Sequence, residues 1–97
     1  MNDRIRKKQN SRRRSECPCC GYFTLIGSPE DIAWAICPVC FWENDVGKNE
    51  ELHSGANSMT LKEGRRNFLE FGACDRKMLK NVRRPKREEL PENNRQR

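Results

Sequence analysis

The chain has 97 residues, 34% of them apolar and 35% charged, with 20 Lys/Arg against 14 Asp/Glu. So short and polar a chain holds one small domain at most, and a core this thin calls for a staple: disulfides, a metal or an oligomer. No apolar run approaches the ~18 residues of a membrane span, and the first sixteen residues, MNDRIRKKQNSRRRSE, lack the apolar stretch of a secretory signal.

The expected compartment is therefore a reducing cytoplasm, where paired cysteines signal metal or redox chemistry more often than disulfides. Charge is unevenly placed. Residues 1–16 carry seven Lys/Arg against two carboxylates, residues 17–72 four against eight, and residues 73–97 nine against four. An acidic middle thus has two basic arms. The arms read as solvated tails that nucleic acid or an acidic protein surface would attract.

In chain order, residues 1–15 have no apolar periodicity and are expected to be a disordered basic arm. YFTLI (22–26) is aromatic and β-branched and predicts a strand. GSPED (27–31) predicts a turn, with Pro29 fixing φ and Ser28 and Asp31 able to bond the backbone. IAWAI (32–36) predicts a second strand, so a hairpin would join the two cysteine pairs. Residues 43–58 form a polar, Gly- and Asn-containing loop, long for so small a domain. Thr60 with Glu63 fits a capping box, and Leu61, Arg65, Phe68, Leu69 and Gly72 follow at helical spacing. This predicts a helix over 61–71 that packs Leu61, Phe68, Leu69 and Phe71 on the hairpin and stops at Gly72. Met78, Leu79 and Val82 are weakly helical or extended, and Pro85 and Pro91 bracket a charged tail.

The cysteines carry the chemistry. Cys17 and Cys20 are separated by two residues, as are Cys37 and Cys40, with sixteen residues between the pairs. That is the spacing of a structural zinc site. A CxxC turn brings two sulfurs to one ion while its backbone N–H groups face the thiolates. Pro18 and Pro38 each follow a first cysteine, where a fixed φ starts the turn. Gly21 follows the first pair, where a left-handed residue lets the chain fold back. Two such turns give a tetrahedral four-sulfur site at Cys17, Cys20, Cys37 and Cys40. A filled shell leaves no place for a reactive water, so the metal would be structural and the protein non-catalytic. Zinc is the first expectation. Iron in a rubredoxin-type site is the alternative, since it uses the same two turns.

Cys19 and Cys74 are left over. Cys19 reads as a small, partly buried filler, or else as an exposed thiol of lowered pKa with Cys74 as its resolving partner. Glu43, Asp45, Glu50, Glu51 and His53 suggest a cation site or an acid–base pair, but a solvated loop explains them as well. Trp34, Phe41, Trp42, Phe68 and Phe71 read as a mini-core beside the knuckles, or as a ligand groove.

The segments CPCCGY (17–22), ICPVCFWEND (36–45), GANSMTLKEGRRNFLEFGA (55–73) and VRRPKREE (82–89), taken together, resemble the bacterial cysteine-rich CPCC family. The resemblance runs from about residue 17 to residue 90. It implies a metal-binding module with ligands at Cys17, Cys20, Cys37 and Cys40, and it supplies no reaction. The whole reading is a small α+β metal-stapled domain of zinc-ribbon-like form: a β-hairpin with two CxxC knuckles plus one packed helix. Its expected boundaries are an arm at 1–15, the domain at 16–90 and a flexible tail at 91–97.

Overall fold

Arg14 and Ser15 form the first strand, β1, which pairs antiparallel with β2 (Leu25–Ile26), Arg14 opposite Ile26 and Ser15 opposite Leu25. The computed structural model describes residues 13–94, so most of the expected 1–15 arm lies outside the described residues. Within that expected arm, however, Arg14 and Ser15 are ladder residues, and Ser15 Oγ also donates to the Gly27 carbonyl at 2.7 Å. The first CxxC turn lies between β1 and β2.

IAWAI is not the partner of YFTLI. Trp34 sits at φ +69°, Ala35 N–H donates back to Ile32 O at 3.1 Å, and only Ile36 makes a ladder contact, an isolated antiparallel bridge to Glu43. A left-handed residue in mid-segment turns the chain and cannot continue a strand. Each CxxC turn is therefore enclosed by its own small antiparallel pairing, in place of one hairpin linking the two.

The long loop is built by side chains bonding to backbone. Asn57 accepts from Glu43 N–H at 3.0 Å and donates to Glu43 O at 2.9 Å, as a strand neighbour would. Asp45 accepts from Ser54 Oγ at 2.9 Å and from Ala56 N–H at 3.2 Å. Short polar side chains of this kind replace ladder bonds where hydrophobic patterning is absent. A second two-stranded sheet, β3 (His53–Ser54) with β4 (Met59–Thr60), closes the loop.

Helix α1 spans Leu61–Phe71, as its caps predict: Thr60 and Glu63 form the reciprocal capping box, and Gly72 ends it at φ +96° with its N–H on Phe68 O. Leu61 and Gly64 are its buried positions, and Phe68 and Phe71 are half-buried. Phe68 meets Tyr22 edge-on at 6.3 Å between centroids. Leu69, expected to pack, is 84% exposed. The inward face follows Leu61, Gly64, Arg65 and Phe68, which is the i, i+3, i+4, i+7 stripe, and Leu69 lies beside it rather than on it.

Beyond α1, residues Arg76–Asn81, Arg87–Glu89 and Pro91–Asn93 form 3₁₀ turns. The region expected to be a flexible tail thus includes a turn over Pro91–Asn93, tied by Asn94 Nδ2 to Glu88 O at 2.7 Å. Glu89 is buried and takes two 2.9 Å hydrogen bonds from the Arg83 guanidinium and one of 2.8 Å from Lys86 N–H. The Arg83 hydrogen bond, above all, holds the Glu89 carboxyl below the ordinary value of 4.5. A depressed folded pKa stabilises the fold above the unfolded pKa and is lost as pH falls through the folded value. Glu89→Gln is therefore expected to lower the melting temperature at pH 7, with the gap to wild type closing below about pH 4. A gap constant with pH would contradict that role.

Candidate metal centre

The two CxxC turns have matching backbones. In the first, Gly21 N–H donates to Cys17 O at 2.9 Å and Cys17 N–H to Tyr22 O at 2.8 Å. In the second, Phe41 N–H donates to Cys37 O at 2.7 Å and Cys37 N–H to Trp42 O at 3.0 Å. The residue after each second cysteine is left-handed, Gly21 at φ +85° and Phe41 at φ +68°. Glycine takes this conformation freely, whereas a side chain there costs roughly 1–2 kcal/mol. The second turn therefore holds Phe41 in a strained state that the rest of the knuckle maintains.

Facing one another, the turns bring Cys17, Cys20, Cys37 and Cys40 together, every pair of sulfurs within 4.8 Å. Cys17 Sγ lies 3.6 Å from Cys40 Sγ, and Cys20 Sγ lies 3.7 Å from Cys37 Sγ. A tetrahedron of sulfurs at ~2.3 Å from a central ion has edges of ~3.8 Å, whereas a disulfide needs ~2.05 Å. The spacing fits an ion and not a bond. Among the described residues no other group of three His, Cys, Asp or Glu side chains converges in this way.

Cys37 Sγ has hydrogen-bonding neighbours outside the sulfur cluster: Val39 N–H donates to it at 3.3 Å, and the Thr24 hydroxyl lies at 2.9 Å. Hydrogen bonding within the cluster, first from Cys17, pulls the Cys37 thiol down, while Cys17 first pushes Cys20 and Cys40 up. Four sulfurs this close hold four negative charges only around a cation. Cys17, Cys37 and Cys40 are fully buried, and Cys20 is half-buried.

Three later segments bond to these turns. Arg65 Nε donates to Pro18 O at 2.8 Å, Cys74 N–H to Cys40 O at 2.9 Å, and Arg83 N–H to Pro38 O at 3.1 Å. Arg65 also pairs with Glu50. Cys19 and Cys74 are 6% and 2% exposed, so Cys19 is the buried filler rather than an exposed thiol. Burial, the first cause, pushes the Cys74 thiol up to about 12, far from thiolate reactivity at neutral pH.

The aromatics divide. Trp42 is fully buried at the centre and Trp34 is 64% exposed. The acidic loop residues do not assemble a reactive pair: His53 is exposed, Asp45 holds Ser54 and Ala56, and Glu51 pairs with Lys62 at 3.9 Å.

Gly64 and Thr24 are site residues the sequence reading passed over. A Cβ at Gly64 would stand 2.8 Å from Trp42 Cζ3 and 3.4 Å from Cys19 Sγ. The Gly64 signal was present in the sequence: an isolated glycine inside a helical pattern costs ~1 kcal/mol against alanine and marks close packing.

Two enclosed CxxC turns with four converging sulfurs and one docked helix define a small α+β domain built around a cysteine cluster that could hold a metal ion. The family model "Cysteine-rich CPCC" matches residues 15–89, and the chain belongs to that family. No curated protein and no solved structure matches it.

Proposed function

We propose that this chain is a non-catalytic zinc-binding module with a structural site at Cys17, Cys20, Cys37 and Cys40, and that it acts as a small interaction domain for protein or nucleic acid. The observation that carries the reading is the sulfur cluster itself. Two of its edges, 3.6 and 3.7 Å, match a tetrahedral four-thiolate shell, and three of its four members are sealed from solvent. A complete shell leaves no coordination position for substrate or water, which separates structural from catalytic zinc. All-sulfur tetrahedral donors select zinc or iron among biological metals. The second turn runs directly into Phe41 and Trp42 where a rubredoxin-type turn favours glycine, and this supports zinc.

Among the described residues no helix is long and apolar enough to cross a membrane. Six cysteines kept as thiols or thiolates support a reducing compartment, the cytoplasm.

Elemental analysis of the purified protein, with native mass spectrometry before and after chelation, is expected to give one zinc per chain, lost on chelation. One iron per chain would replace zinc in this reading, and a protein that folds with no metal would end it.

A further inference from the structure

Arg13 and Arg14 meet the Arg87–Asn94 segment in space. Entering the first CxxC turn, the two arginines line a cleft of about 670 Å³ together with Phe23, Arg87, Glu88, Asn93 and Asn94. A second cleft of about 300 Å³ shares Arg13, Arg14 and Phe23 and adds Glu16 and Lys48, which pair at 3.9 Å. Phe23 and the two arginines thus form a common wall between adjoining clefts, with arginines outnumbering the carboxylates along it. Volumes of ~300–1,000 Å³ are those of small-molecule sites, and two clefts in series accommodate a short length of polymer.

These arginines are only loosely engaged by carboxylates among the described residues. Glu89, the nearest buried carboxylate, already receives both guanidinium nitrogens of Arg83 at 2.9 Å and the Lys86 N–H. Arg14 stands back from it at 3.8 Å and from Glu88 at 3.7 Å, beyond hydrogen-bond range. Among the described residues no carboxylate lies within salt-bridge range of Arg13 or Arg87. Asn93 and Asn94 use their amide nitrogens on the carbonyls of Arg87, Glu88 and Leu90, which leaves each Oδ1 as an acceptor. In sequence, Arg13 follows five further Lys/Arg in residues 1–12, and Asn94 precedes Arg95 and Arg97.

We infer that the Arg13–Arg14–Phe23–Arg87 groove binds single-stranded nucleic acid, with the arginines on phosphates and the Phe23 ring under a base. Guanidinium donors for phosphate, an aromatic face for a base and amide oxygens for base N–H groups are the complement of a nucleotide, and a charged groove with an aromatic platform is the general form of a single-strand site. An acidic peptide would satisfy the arginines and leave the ring without a role. The inference rests on the interaction-module reading and specifies its partner.

The test is fluorescence anisotropy on the full chain with fluorescein-labelled 12-mers of oligo-dT and oligo-rU, a duplex of the same length, and a polyglutamate peptide, over a salt series. The single strands are expected to bind best. Arg13→Glu with Arg87→Glu is expected to weaken them at least about 10-fold and to flatten the log K against log salt slope by about 1.4, two phosphates at ~0.7 each. Phe23→Leu is expected to weaken binding about 5- to 100-fold at unchanged slope.

Wild-type affinity in the double arginine variant would overturn the proposal, because binding would then come from the arms alone. Preference for polyglutamate would also overturn it. Both substituted arginines are exposed, so that variant reads out even if Phe23→Leu disturbs the fold. Metal content of the same preparations reports separately on the zinc proposal.

Discussion

Stripping the metal from the reduced protein with a chelator is expected to unfold the domain, erasing the α1 signals in far-UV circular dichroism and collapsing the amide spectrum. Eleven apolar side chains are buried among the described residues, and five of them are cysteines. Without an ion those cysteines are small, weakly hydrophobic side chains. Leu25, Ile32, Val39, Trp42, Leu61 and Ala73 are the only other buried apolar side chains among the described residues, too few to order so polar a chain.

A structural zinc contributes ~10–16 kcal/mol at neutral pH, as large as the whole net stability of an ordinary domain, ~5–15 kcal/mol. The loss would not stay local. Arg65 on Pro18, Cys74 on Cys40 and Arg83 on Pro38 each anchor a separate segment to a knuckle. Loosening the knuckles releases α1 and both later segments together. Zinc added back under reducing conditions is expected to restore the spectrum. Survival of α1 in the metal-free, reduced protein would mean that the polar networks hold the fold unaided.

The second large effect is expected at Gly64→Ala. By helix propensity alone the change stabilises α1 by ~1 kcal/mol. The structure reverses the sign. The added methyl would lie 2.8 and 3.0 Å from two ring carbons of Trp42, which is fully buried, and 3.4 Å from Cys19 Sγ. Neither neighbour has room to retreat. Trp42 sits two residues past Cys40, and its carbonyl closes the second knuckle on Cys37 N–H; Cys19 lies inside the first knuckle. The helix must lift away instead, straining the Arg65–Pro18 bond. Overpacking of this kind costs ~1–3 kcal/mol, so the ~1 kcal/mol propensity gain is lost, and a net destabilisation of up to about 2 kcal/mol with weaker metal retention under chelator competition is expected. A stabilised Gly64→Ala protein would show that α1 does not press on the knuckles.

How much of this was legible from residues differs by element. The CxxC turns and the α1 caps are written in local chemistry: Pro18 and Pro38 in the knuckles, Thr60 with Glu63 at one end of the helix, Gly72 at the other. Local signals of that kind survive tertiary context. The strand pairing was not legible, because β1 is Arg-Ser and owes its place to the knuckle that follows it rather than to β propensity. Ile32, Trp34 and Ile36 spell a strand by composition, yet Trp34 adopts a left-handed conformation that no single-residue preference announces. Leu69 misled for a simpler reason: it follows Phe68 directly, and neighbours on a helix point about 100° apart. The loop after the second knuckle carries its information in Asp45, Ser54 and Asn57, and their pairing with backbone depends on which segments tertiary folding brings together.

The account stands on one ion shared by two bends of the chain. X-ray absorption at the metal edge of the purified protein reads that shell directly. Four sulfur scatterers at ~2.3 Å, with no nitrogen or oxygen neighbour, are predicted, and the Cys37→Ser protein is expected to lose the metal or show oxygen in the shell. A wild-type shell containing nitrogen or oxygen, or fewer than four sulfurs, would contradict the arrangement from which everything else has been derived.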